Sequence, residues 1–297
     1  MRYDCWVTNQ HEEAHSAGLQ RLLTQLDLKR IDTDTFEGEA GDGWHRLFGG
    51  HVAAQAVIAA YRTVADGAIH SLHAYFVRAG SHDEPIRYVV DRIRDGRTFT
   101  TRDVVAYQSD EAIFNLSCSF AKPEPGVTRG PEPPSLPGPE GLEPWGFPFP
   151  GRQEDRARMM SFERESAIEI RTVDGVAPPS DDMPRRRVWM RVRGVPPEDP
   201  AIHAALLTYA SDRGFIATVF AGKTWRPRGM AGMGTSASLD HSIWFHHPPR
   251  FDDWLLFTSE SPVANAARAL ILGQVYRRDG VQVASVVQEA LIREPRD

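Results

Sequence analysis

The chain has 297 residues, 41% of them hydrophobic and 25% charged, and a formal net charge of -6. Such a composition belongs to a soluble globular protein. The acidic balance argues against a nucleic-acid partner, which would be met by a basic face, and no apolar run approaches the roughly 18 residues of a membrane span.

The two cysteines, Cys5 and Cys118, fit neither a disulfide framework nor a metal-ligand spacing. The N-terminal "MRYDCWVTNQHEEAH" lacks the apolar core of a signal peptide. A reducing, cytoplasmic setting is the expectation.

Residues 1–15 read as poorly ordered. Leu19, Leu22, Leu23 and Leu26 then recur at helical spacing. "DTFEGEA" reads as a short strand, and "FGGHVAAQAVIAAYRTVA" (48–65) as a helix opened by two glycines, which permit close approach of a neighbour or ligand. Four strands are expected near 69–78, 85–94, 97–108 and 111–121, separated by turn chemistry such as "RDGR" and "QSDEA". The stretch 122–150 is dense in Pro and Gly and reads as an extended linker. It divides a first unit (1–121) from a second (151–297).

The second unit begins with a helical stretch near 153–161 and strands near 163–172 and 185–193. "DPAIHAALLTYASDRGFIATVF" (199–220) reads as one long helix, with Asp199 and Pro200 as cap and first-turn pair. Strands are expected near 238–247, 252–261, 264–277 and 281–293. The Arg-rich "MPRRRVWMRVR" lies on a strand pattern. It is either a solvated face or a patch for a phosphorylated ligand.

The two units repeat. "LHAYFVRAGSHDEPIRY" and "LDHSIWFHHPPRFDDWLLF" share an aromatic pair, basic residues, a turn with Asp and an apolar run. Phe76 and Phe245, Ile86 and Leu255, and Tyr107 and Tyr276 are each separated by 169 positions. A helix plus long antiparallel strands is therefore written twice, and a curved sheet can cover the apolar face of each helix.

The motifs "RLFGGHVAAQA", "HSLHAYFVRAG", "RDGRTFTTRDVVA", "YASD", "LDHSIWFH" and "VASVVQEA" resemble those of the acyl-CoA thioesterase II family, in the same order, from about residue 17 to the end. The resemblance implies an α+β double hotdog fold: two repeats of a long central helix wrapped by a continuous antiparallel sheet. It implies hydrolysis of acyl-CoA to free acid and coenzyme A, with no metal or organic cofactor, and a homo-oligomer. It also implies a catalytic trio of an Asp, a Ser or Thr and a Gln, which falls on Asp212 in "YASD", Ser238 in "SASLDHS" and Gln288 in "SVVQEA". Serine lacks the methyl that would restrict a threonine rotamer. His51 stands where the family writes Gln after the two glycines.

Chemically, a carboxylate can take the proton of an attacking water, while a hydroxyl and an amide fix its direction. Backbone N–H groups at the helix opened by Gly49 and Gly50 are candidates for substrate binding and for the oxyanion. His70 is a candidate to polarise the thioester. On a continuous helix Asp212 would lie about 40° from Ile216, at the edge of the apolar stripe. Gln288 shares a strand face with Val286. Asp240 and His241 point to opposite faces and read as structural hydrogen-bonding positions rather than a dyad. No "GxSxG" elbow appears, which argues against a covalent serine mechanism. "GMAGMGTSAS" (229–238) reads as a loop entering the strand of Ser238.

In the first repeat Ile69 stands at the position of Ser238, and Ser119 at that of Gln288. Only the second repeat is expected to activate water. Two alternatives remain: a hotdog enoyl-CoA hydratase, for which His203 and Asp212 lie about two and a half turns apart on the helix, and a non-catalytic acyl-CoA binder.

Overall fold

The computed structural model describes residues 17–41, 47–144, 163–174, 183–221 and 236–293. The expected helix at 153–161, most of the glycine-rich loop before Ser238, Cys5 and the N-terminal 15 residues lie outside them.

Among the described residues thirteen strands form one antiparallel sheet. In chain order they are β1 (Lys29–Asp32), β2 (Thr35–Gly38), β3 (Ala68–Phe76), β4 (Ile86–Asp95), β5 (Phe99–Gln108), β6 (Glu111–Ala121), β7 (Ile168–Thr172), β8 (Arg185–Val192), β9 (Ser236–Ser238), β10 (Asp240–Phe245), β11 (Leu255–Asn265), β12 (Arg268–Arg277) and β13 (Gln282–Ile292). The spatial order is β1-β2-β4-β5-β6-β3-β10-β13-β12-β11-β8-β7, with β9 on β13. Strands β3 to β6 thus mirror β10 to β13 across the β3–β10 seam.

At that seam His73 pairs with Ser242, its own repeat equivalent, flanked by Leu72 with Ile243 and Ala74 with His241. A pseudo-twofold axis therefore passes through the His73–Ser242 pair. Their side chains are hydrogen-bonded at 3.1 Å across 169 positions of chain.

Among the described residues the longer helices are α1 (17–26), α2 (Gly49–Tyr61) and α3 (Pro200–Asp212). Every residue of α2 from Gly50 to Ala60 is buried, as expected of a helix enclosed on all sides. It packs on β2, β4, β5 and β6 and against α3. Alanines at 53, 54, 56, 59 and 60 keep its surface low, so sheet and partner helix both come close. One contiguous apolar core runs through both repeats. Each fully buried large side chain in it contributes about 1.5–3 kcal/mol.

The long helix expected over 199–220 is two elements. α3 ends at Asp212, because Arg213 leaves helical geometry with ψ 99 and Gly214 sits at φ 65, in the left-handed region that favours glycine. Residues Ile216–Phe220 then form a 3-10 helix packed on β8, β11 and β12. Asp212 is thereby the last residue of a helix rather than a mid-helix residue beside an apolar stripe. Strand β1 had no sequence signal, since all four of its residues are exposed.

The described part of the 122–150 stretch has no strand or helix. It does dock on the second repeat: Leu142 joins Val173, Trp189, Trp254, Leu256 and Tyr276 in a small second core, and the Pro137 carbonyl accepts the Trp189 indole N–H at 2.8 Å. The Arg-rich strand β8 pairs with acids of neighbouring segments, Arg187 with Asp174 and Arg191 with Glu169, so it is a salt-bridged face. Among the described residues no helix is long and apolar enough to cross a membrane.

Candidate active site

The two central helices lie antiparallel. The end of α3 meets the start of α2, where the Gly50 N–H donates to Asp212 Oδ2 at 2.8 Å. The reason lies in the capping. Phe48, the cap residue of α2, offers no side-chain acceptor, so the first-turn N–H groups need one from elsewhere. Asp212 supplies it from 162 positions away. The two glycines make room. A Cβ on Gly50 would stand 2.8 Å from the Tyr209 carbonyl oxygen, and one on Gly49 would stand 3.1 Å from Asp212 Oδ2 and 2.5 Å from the Phe76 ring.

The structure brings Asp212, Ser238 and Gln288 together. The Ser238 hydroxyl lies near the Asp212 carboxyl and favours its ionised form. Gln288 Nε2 donates to Ser238 Oγ at 2.8 Å. β13 places Gln288 on its inward face with Val286 and Ala290, and the amide is fully buried. Ser238 closes the short strand β9, which pairs with Ala290 of β13.

The chain of bonds continues past the trio. His241 Nδ1 lies 2.7 Å from Gln288 Oε1, and its Nε2 lies 2.8 Å from Ser211 Oγ. The ring is fully buried and meets Phe215 edge-on at 6.0 Å. Asp240 and His241 do face opposite ways: Asp240 Oδ1 accepts the Glu289 N–H at 2.7 Å, on the other side of the strand. His241 is a hydrogen-bonding position, as expected, and it lies beside the candidate trio. The signal was its parity with Ile243 and Phe245, which puts it on the inward face of a strand beside that of Gln288.

Desolvation by the surrounding protein raises the Asp212 pKa above the ordinary carboxylate value. Positive charge on His241, the Gly50 N–H and the Ser238 hydroxyl act in the opposite direction. The residue is half-buried, with part of its surface still open. A carboxylate so placed is a stronger base than an exposed one while still held by donors.

His70 is not joined to this network. It bonds Ser119 Oγ at 2.8 Å near the opposite end of β3 from Phe76, roughly 20 Å along the strand. There it packs on Phe99, and burial lowers its pKa. His51 is buried, with Nε2 3.1 Å from the Glu39 carbonyl. His203 accepts the Phe251 N–H at 3.0 Å, in the first turn of α3 and remote from Asp212. Cys118 is buried, and burial pushes its thiol pKa far up, so it is no nucleophile. Among the described residues no three His, Cys, Asp or Glu side chains gather as metal ligands would.

Comparison with known proteins gives the following. Residues 160–291 match the acyl-CoA thioesterase family, and residues 40–121 match the acyl-CoA thioesterase N-terminal domain. The chain is 35% identical to acyl-coenzyme A thioesterase 8 of Homo sapiens, over 92% of this chain and 88% of that one. An acyl-CoA thioesterase II of Mycobacterium marinum superposes with a TM-score of 0.76 at 35% identity, covering 92% of this chain and 98% of that one. A hot dog fold protein of Alicyclobacillus acidocaldarius superposes with a TM-score of 0.73 at 19% identity, covering 93% and 98%, a likeness of fold alone.

Proposed function

The chain belongs to the acyl-CoA thioesterase family, and from that premise we propose that it hydrolyses acyl-CoA to a fatty acid and coenzyme A with water activated by Asp212, Ser238 and Gln288. The protein is a hotdog-fold thioesterase. Its two mirrored sets of strands, each with a 13-residue helix, favour reading it as a double hotdog with one working site.

The observation that carries the proposal is the convergence on Asp212. The Gly50 N–H takes one acceptor position of the carboxylate, and the nearby Ser238 hydroxyl favours its charged form. A carboxylate has about four, so others stay available for the proton of water. Gln288 is fully buried and spends an amide hydrogen on Ser238, so it acts on the water through that hydroxyl. Groups from α3 and β9 then hold one molecule in a fixed line of attack, with β13 setting the hydroxyl. Asp212 takes its proton as it adds to the thioester carbonyl. The carbon–sulfur bond breaks in the second step, and the thiolate needs little acid help to leave.

No acyl-enzyme forms in this scheme. The Ser238 hydroxyl accepts from Gln288 and has no base set to take its proton for an attack of its own, and no "GxSxG" elbow presents another nucleophile. Gly49 is assigned to the wall of the reacting centre. The Gly50 N–H is engaged by Asp212, so the oxyanion donor is a different group. His70 is given no part in the attack, being on the far side of the pseudo-twofold. A homo-oligomer, acyl-CoA as the bound partner and a cytoplasmic setting belong to the same reading.

Turnover of palmitoyl-CoA in the presence of a thiol reagent tests it. Coenzyme A should be released continuously, while intact-mass measurement finds the protein unmodified. Binding without release would make the protein a carrier. A protein heavier by one acyl group would mean covalent catalysis. Loss of enoyl-CoA absorbance would point to a hydratase.

A further inference from the structure

His241 belongs to no part of the chemistry above, yet it is fully buried, touches the site and has a partner on each ring nitrogen. We infer that His241 is a positioning residue: its Nδ1–H fixes which end of the Gln288 amide faces Ser238, and so sets whether the Ser238 hydroxyl hydrogen is free for Asp212. This inference rests on the assignment of Asp212, Ser238 and Gln288 as the water-activating set.

A glutamine amide is nearly symmetric in shape, with an acceptor at one end and two donors at the other. In the observed orientation Oε1 faces His241 at 2.7 Å and Nε2 faces Ser238 at 2.8 Å. Nδ1 must then carry the proton, because Oε1 has none to give. Ser238 Oγ accepts from the amide, which leaves its own hydrogen free to turn to the nearby Asp212 carboxyl. The donors run in one direction, from the imidazole through the amide and the hydroxyl to the carboxylate.

Turning the amide round reverses that order. Oε1 would face Ser238 and draw the hydroxyl proton away from Asp212. In water the two orientations would differ little. Here the amide is fully enclosed, and a mispaired end costs about 1–3 kcal/mol. A single N–H from His241 therefore decides between a productive arrangement and an unproductive one.

The other nitrogen is served by a hydroxyl that can take either role. Ser211 Oγ lies 2.8 Å from His241 Nε2 and 2.9 Å from the Thr208 carbonyl. With its proton on the carbonyl it accepts from a protonated ring, and with its proton on Nε2 it serves the neutral ring. In both states Nδ1 keeps its hydrogen. Ser211 is also the chain neighbour of Asp212, so the last turn of α3 holds both ends of the bonded chain. The first repeat has Leu72 at the position of His241, with no nitrogen at all, and Ser119 at that of Gln288.

The two amide replacements of histidine separate positioning from bulk. In H241N the shorter amide sits close to where Nδ1 was and can donate to Gln288. In H241Q the longer amide reaches toward Ser211 and leaves Oε1 of Gln288 unserved. Parent, H241N, H241Q and D212N are compared with palmitoyl-CoA as substrate, each with its melting temperature. The expected result is kcat on the order of 100-fold lower in H241Q, within about fivefold of the parent in H241N, and KM little changed in both. Equal activities for H241N and H241Q, whether high or low, in proteins that melt alike would overturn the inference. Nitrogen-15 shifts of His241 give a second readout on the unaltered enzyme. Nδ1 should stay protonated across the accessible pH range, and a bare Nδ1 would contradict the direction assigned. D212N acts as the gauge of the underlying reading: if it turns over at the parental rate, the water-activating set is wrong, whatever the histidine variants do.

Discussion

The two ends of the antiparallel helix pair are related by the pseudo-twofold, but only one carries the proposed water-activating set. At one end Asp212 closes α3 and caps the first turn of α2, whose own cap residue Phe48 has no acceptor. At the other end Tyr61 closes α2, and the first turn of α3 is capped from within its own segment, Asp199 accepting the Ala201 N–H at 2.8 Å. Ser238 is replaced there by Ile69, whose N–H donates to the Tyr61 hydroxyl at 3.0 Å. Tyr61 is buried edge-on against Phe120 at 4.8 Å, and burial raises its pKa to about 12. The comparison teaches where an active carboxylate comes from. Leaving a helix start without a local cap, and opening it with glycines, lets an acid from the neighbouring helix fill the role while keeping free acceptor positions.

The comparison can be broken most severely at the glycine. Gly50→Ala puts a Cβ 2.6 Å from the Phe48 ring and 2.8 Å from the Tyr209 carbonyl. The helices must separate, and Asp212 loses its donor. The expected loss in kcat is on the order of 100-fold, with a lower melting temperature. Activity unchanged in steady-state assays would mean the contact between the helix ends is dispensable.

Ser238→Ala should have a smaller effect, about tenfold to thirtyfold in kcat, with a distinctive pH signature. The Ser238 hydroxyl favours the ionised form of Asp212. Removing it raises that pKa further, so the low-pH limb of the rate profile should move to higher pH. A limb that stays in place would exclude Asp212 as the group titrating there. Ser238→Thr keeps the hydroxyl and adds a methyl that narrows the rotamers, so kcat should stay within about threefold of the parent.

The smallest effect on rate is expected from the opposite end. Tyr61→Phe strands the Ile69 N–H and should cost about 1–3 kcal/mol of stability in denaturant unfolding, with turnover unaltered. A fall in kcat comparable with that of Ser238→Ala would show that the first repeat takes part in the reaction after all.

Much of this was legible in the letters. The strand repeat held in register: β5 and β12, at Phe99–Gln108 and Arg268–Arg277, stand at the same 169 spacing as the sequence pairs. Alternation placed Gln288 beside Val286 correctly, but not on the buried side, because a polar residue carries no mark of which face it takes. The helix break after Asp212 was missed. "SDRGFI" keeps enough helical spacing to mask a single Gly214, and only the backbone at φ 65 reveals the turn. The place of His241 beside the trio was hidden for a different reason. Its partners lie 30 and 47 positions away, and the value of a buried histidine is set by what its nitrogens meet.

The claim on which the rest depends is that the Asp212 carboxylate is the base for the attacking water. Coenzyme A release by D212N at saturating palmitoyl-CoA, with acyl-CoA binding and melting temperature measured on the same preparation, tests it most directly. Asparagine can still accept the Gly50 N–H, so fold and binding should persist while kcat falls by about 1000-fold. Release at the parental rate by a folded, ligand-binding D212N protein would contradict the account.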